Sequence, residues 1–87
     1  MFIDVHCHLD YFKSDVEKVV ERARKNKVGV IVSSGVNKKS NRKTLEISEK
    51  HSEVKTALGI YPIEAFSLSV EDIDDEIEFI RKNKENR

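Results

Sequence analysis

Val28-Gly29-Val30-Ile31-Val32-Ser33 is a short β-branched run that ends in small residues. Such side chains suit a pleated surface, and Ser34-Gly35 punctuates the run, so a strand is expected here. Two further runs share this character. Phe2-Ile3-Asp4-Val5-His6 starts 26 residues earlier, and Val54-Lys55-Thr56-Ala57-Leu58-Gly59-Ile60 starts 26 residues later. Helical patterns fill the intervals. In the first, Ser14 and Glu17 have the spacing of a capping box, and Val16, Val19, Val20 and Ala23 fall on one stripe. Arg22, Arg24, Lys25 and Lys27 crowd its end, where cations suit the helix dipole, and Asn26 lies in the C-cap region. The second helix is expected over roughly 40–51, with Leu45 and Ile47 as its main apolar positions. The third is expected to start near Ser69 with Asp72 three residues on. Its stripe is Val70, Ile73, Ile77 and Ile80, with acidic residues early and Arg81, Lys82 and Lys84 late.

The order is therefore β-α-β-α-β-α, an α/β pattern. Crossover helices imply parallel strands and right-handed connections. Two architectures fit: a small open α/β sheet, or the first three units of a (β/α)8 TIM-type barrel. Eight 26-residue units come to about 208 residues, near the roughly 250 of a typical barrel. Residues 1–87 hold a little over three units, with no linker or low-complexity segment between them.

The 87 residues carry 16 basic and 16 acidic side chains, a net charge of zero. That excludes a basic nucleic-acid-coating protein and an acidic tail, but not an enzyme that handles phosphate through a metal. One cysteine excludes an internal disulfide framework and a Cys-only zinc site. No apolar run approaches the roughly 20 residues of a membrane span, and no signal-peptide core follows Met1. A cytoplasmic location and no membrane partner are expected.

Chemistry concentrates in Asp4-Val5-His6-Cys7-His8-Leu9-Asp10. Alternation along a strand puts Asp4, His6 and His8 on one side and Ile3, Val5 and Cys7 on the other. Two imidazoles at i and i+2 can reach one divalent cation, and the carboxyl end of a parallel strand is where such folds put their sites. As an isolated H-x-H pair, His6 and His8 read as ordinary polar residues. Directly after an apolar strand and before a loop and helix, they read as metal ligands. Asp10 and His51 are further donors in sequence only, with His51 at the wrong end of its βα unit. Cys7 reads as a small buried hydrophobe rather than a nucleophile. Tyr61, beside Gly59 and Pro62, either donates to a substrate phosphate or caps the rim.

These residues carry a resemblance. Phe2 to Asp10 looks like the opening motif of the TatD-related metal-dependent hydrolases, among the amidohydrolase-like barrels. The likeness continues through Val30 to Gly35 and through Ala57-Leu58-Gly59-Ile60-Tyr61-Pro62. It implies a (β/α)8 barrel with one or two divalent ions (Zn, Mn or Mg), and His6 and His8 as ligands of one. It implies hydrolysis of DNA phosphodiesters, of 3′ exonuclease type, by a metal-activated water. The family usually has His where this sequence has Tyr61, and often a second where it has Ile63. The glutamate of the family's fourth strand and its later ligands have no counterpart up to Arg87, so the catalytic groups are expected beyond it. The resemblance therefore implies an N-terminal fragment with a half-built site, inactive alone. Its opened sheet would pair with the missing remainder of the barrel or with a second copy. Two other readings stand beside it. One is a non-catalytic self-associating α/β module. The other is a fragment of another H-x-H barrel hydrolase, a PHP phosphoesterase or an amidohydrolase, against which Gly59-Ile60-Tyr61-Pro62 argues.

Overall fold

A computed structural model describes residues 1–83. Strands β1 (Phe2–Cys7), β2 (Val28–Ser34) and β3 (Val54–Ala57) form a parallel sheet in the order β1-β2-β3. β2 and β3 run in clean register, with Ile31 beside Val54 and Ser33 beside Thr56. β1 and β2 slip between Asp4 and Cys7, where the His6 amide donates to the Asp4 carboxylate at 3.1 Å.

That strand order decides between the two architectures. Right-handed crossovers in an unreversed order place successive helices on the same face, whereas a doubly wound sheet reverses direction and covers both. Helices α1 (Val16–Lys25) and α2 (Lys38–Lys50) do share one face. Val16 and Val20 of α1, Ile47 of α2, Ile31, Val54 and Leu9 form one buried cluster. Ile31, Ser33, Val54 and Thr56 are buried beneath the helices, while Lys55 and Ala57 alternate to the other, exposed side. The units are thus wound as consecutive staves of a barrel wall, with helices outside.

The connection from β1 to α1 departs from the capping expectation at Ser14. Residues Leu9–Asp15 form 3-10 turns interrupted at Lys13 (φ 53°), and α1 begins at Val16, with no side-chain cap from Asp15. Leu9 is drawn into the core, which tightens the chain before the helix can start. The expected stripe itself packs as read, with Val16 and Val20 buried and Val19 and Ala23 at their edge. Asn26 closes α1, and Lys27 follows at φ 66°. A left-handed residue after a helix is normally glycine, because a Cβ is strained there. Lys27→Gly is therefore expected to stabilise the chain by about 0.5–1 kcal/mol, read as a higher urea midpoint.

α2 starts two residues before its expected bound. Asn37 is its N-cap, accepting from the Ser40 amide at 2.9 Å, while the Ser40 hydroxyl accepts from the Asn37 amide at 3.1 Å. A four-residue helix, α3 (Pro62–Ala65), follows β3, with Pro62 in its first turn. α4 (Val70–Lys82) begins as expected, with a reciprocal box between Ser69 and Asp72. Lys84, counted in its basic end, lies outside the described residues.

The docking face of α4 differs from the expected stripe. Val70 is 76 % exposed and Ile77 is exposed, whereas Glu76 is only 3 % exposed. Its carboxylate accepts from Asn41 Nδ2 at 2.7 Å and from Arg42 Nη1 at 2.9 Å, and the Arg42 guanidinium lies 3.6 Å from the Phe79 ring centroid. A polar clamp joins α4 to α2, while Ile73 and Ile80 of the expected stripe are half-buried.

Candidate metal site

His6 is the penultimate residue of β1, and His8 follows its end. Their rings stand 5.0 Å apart, perpendicular to each other. They share the side expected from strand alternation, and one residue on the neighbouring strand explains how they are held. The Ser34 carbonyl lies 2.9 Å from His8 Nδ1, and the Ser34 hydroxyl lies 3.4 Å from His6 Nδ1. A carbonyl can only accept, so in the neutral His8 ring Nδ1 carries the proton and Nε2 keeps a free lone pair. This is the tautomer that a nitrogen ligand to a metal needs, with its other nitrogen engaged by a protein oxygen. The buried Ser33 hydroxyl accepts from the Leu9 amide at 3.1 Å, which pins the turn after the histidines to β2.

The other candidates separate. Cys7 faces away, pairs with Ser33 in register and packs against the core cluster. Burial, and next the charge of Asp4, push its thiol pKa up to about 11, so it stays protonated at neutral pH and is no nucleophile. His51 caps the far end of α2, as its position in the unit implied. Asp10 is half-buried, and one of its carboxylate oxygens is buried without a partner among the described residues. It does not complete a donor set, because no group of three or more His, Cys, Asp or Glu side chains among the described residues could hold a metal ion. The donors therefore fit part of a metal centre: two imidazoles whose Nδ1 atoms both face Ser34, with the Nε2 of His8 deprotonated in the neutral ring.

Tyr61 is the N-cap of α3 and 52 % exposed, and its amide donates to the Val36 carbonyl at 2.7 Å. It lies at the end of β3 on the rim where β1 delivers the histidines. The loop that carries it is fixed by Asn41, whose side chain donates to the Gly59 carbonyl at 3.0 Å and accepts from the Gly59 amide at 3.1 Å. Gly35 makes room for that side chain, since a Cβ there would meet Asn41 Oδ1 at 2.0 Å.

Sequence reading missed Ser34, Asn41 and Tyr11. Tyr11 stacks on His8, centroids 5.0 Å apart and planes 20° from parallel, and its amide donates to the His8 carbonyl at 3.1 Å. Side chains at i and i+3 eclipse in a 3-10 turn, so the His8–Tyr11 spacing was the available signal once that turn is known.

The paired imidazoles thus stand at the carboxyl end of the first strand of a singly wound βα sheet, the end at which such folds place their sites. The chain belongs to the TatD related DNase family, whose model matches residues 3–86. It is 32% identical to an uncharacterized metal-dependent hydrolase, YabD, of Bacillus subtilis (strain 168), over 84% of this chain and 29% of that protein. It is 33% identical to a second uncharacterized metal-dependent hydrolase, YjjV, of Escherichia coli (strain K12), over 70% of this chain and 24% of that protein. Similarity extends to the human deoxyribonuclease TATDN3, 27% identical over 95% of this chain and 34% of that protein. The chain thus spans about a quarter to a third of the relatives it matches. No helix among its described residues is long and apolar enough to cross a membrane.

Proposed function

We propose that this chain supplies the first three βα units of a (β/α)8 metal-dependent hydrolase that cleaves DNA phosphodiesters, of 3′ exonuclease type, and that it is inactive without the units that complete the barrel. The observation that carries this reading is the His6–His8 pair, with both Nδ1 atoms turned to Ser34 and the Nε2 of His8 left with its lone pair for a divalent cation. When bound, the cation supplies Lewis acidity and neutralises phosphate charge. The residues of this chain do the rest of what falls to them. Ser34 retains the proton at His8 Nδ1 and steadies the His6 ring. The Tyr61 hydroxyl, exposed on the rim, donates to a substrate phosphate oxygen. An open groove beside the turn after the histidines is lined by Lys13, Lys39 and Lys43 together with the carboxylates of Asp10 and Glu64, a mixed-charge surface that leaves phosphate neutralisation to the cation.

Two features support a larger assembly. Two imidazoles are fewer than the three or four protein ligands that zinc commonly takes. The sheet face opposite the helices carries the exposed Lys55 and Ala57, and Phe2, Ile3 and Val5 of the edge strand are also exposed. Further strands of a barrel would cover them.

Zinc titration of the purified chain against a chromophoric chelator tests the metal part. Wild type is expected to take up one equivalent and the His6→Ala/His8→Ala double variant none. Identical curves would overturn it. Incubation with single-stranded DNA and manganese tests the incompleteness, since measurable hydrolysis by the chain alone would contradict it.

A further inference from the structure

The stack on His8 has a consequence for ligand geometry. Its Nδ1 bond to the Ser34 carbonyl fixes one point of the ring, and one point does not fix a plane: the imidazole can still swing about that contact. A second contact on the ring face removes the remaining freedom, and Tyr11 makes it, 5.0 Å away and within 20° of parallel. Burial does not account for Tyr11 being there, because its side chain is 64 % exposed. Backbone geometry does. The Tyr11 amide closes the 3-10 turn onto the His8 carbonyl at 3.1 Å, and the eclipsed i, i+3 arrangement of such a turn sets the two rings face to face. The turn is anchored in turn by the buried Leu9, whose amide donates to Ser33 on β2.

From this we infer that Tyr11 is a positioning residue: it holds the His8 imidazole in the orientation that presents Nε2 to a divalent cation. The inference rests on the reading of His8 as a metal ligand. The interaction is a ring stack and not a hydrogen bond, so an aromatic ring at position 11 is sufficient and its hydroxyl is dispensable.

The test uses the full chain, zinc alone as the probe, and two readouts. Competition titration gives affinity. NMR of the His8 ring protons in the metal-free chain gives the stack directly, because a parallel Tyr ring shifts them upfield. Tyr11→Ala is expected to weaken zinc binding about threefold to tenfold, the range of an aromatic pair, and to abolish the upfield shift. Tyr11→Phe is expected to stay within about twofold of wild type and to keep the shift. Phe66→Ala, a change at another highly exposed aromatic, is expected to alter neither readout. Equal zinc affinity in wild type and Tyr11→Ala would overturn the inference while leaving the metal reading intact. So would a Tyr11→Phe variant that behaves like Tyr11→Ala. Failure of wild type to bind zinc at all would remove the metal reading, and the positioning role with it.

Discussion

Asn41→Ala is expected to destabilise the chain by about 2–4 kcal/mol, read as a fall in the urea midpoint. Asn41 is fully buried, and its amide group meets three partners: the Gly59 carbonyl, the Gly59 amide and the Glu76 carboxylate. Alanine removes one side of every bond and leaves the others short of partners away from water, which costs more than a neutral hydrogen bond is worth. Glu76 would keep Arg42, so its charge would remain paired. Arg42 is partly exposed, and solvent screening limits what that pair contributes. The bonds are shared, so Asn41→Ala and Glu76→Gln should be less than additive in a double-mutant cycle. A loss below about 0.5 kcal/mol for Asn41→Ala would contradict the picture of a buried node that ties α2, α4 and the Gly59 loop together.

The second large effect concerns the histidines singly. His8→Ala is expected to lower zinc affinity about 100-fold or more, and His6→Ala about tenfold. The asymmetry follows from preorganisation. His8 is half-buried and is held at its edge by Ser34 and on its face by Tyr11. His6 is exposed, and its contact to the Ser34 hydroxyl is long, at 3.4 Å. A ring already in its bound orientation gives up little freedom on binding, whereas a loosely held one must be ordered first. Comparable losses for the two variants in the competition titration would refute this ranking.

Much of this architecture can be read in the chain, because its signals are local or periodic. The 26-residue spacing of the runs at Phe2, Val28 and Val54 anticipated three strands, and Ser69 with Asp72 anticipated the start of α4. Strand alternation anticipated His6 and His8 on one side and Cys7 on the other, and they lie so although the register of β1 slips between Asp4 and Cys7 and His8 follows its end. What escaped depends on partners distant in sequence. Ser14 and Glu17 have the spacing of a cap, but the burial of Leu9 wound the segment into 3-10 turns instead. The isoleucines of α4 have the spacing of a core stripe, yet Asn41 and Arg42 recruit Glu76, the neighbour of Ile73 and Ile80 on the helix surface, which turns Val70 and Ile77 out to solvent. Ser34 is one serine of a pair. Only strand pairing shows that its carbonyl and hydroxyl each face a histidine more than 25 residues away in sequence.

The unreversed strand order also bears on how the sheet assembles in time. Phe2 pairs with Val28 and Ile31 with Val54, so the two ladders close loops of 26 and 23 residues. Closure entropy grows with the logarithm of loop length, and these loops differ by about 0.1 kcal/mol in that cost. Neither ladder must wait for a longer closure, and no strand has to be inserted between two that have already met. The sheet can grow by repeating one step of nearly constant difficulty, each new strand finding an open edge beside the one that precedes it in the chain.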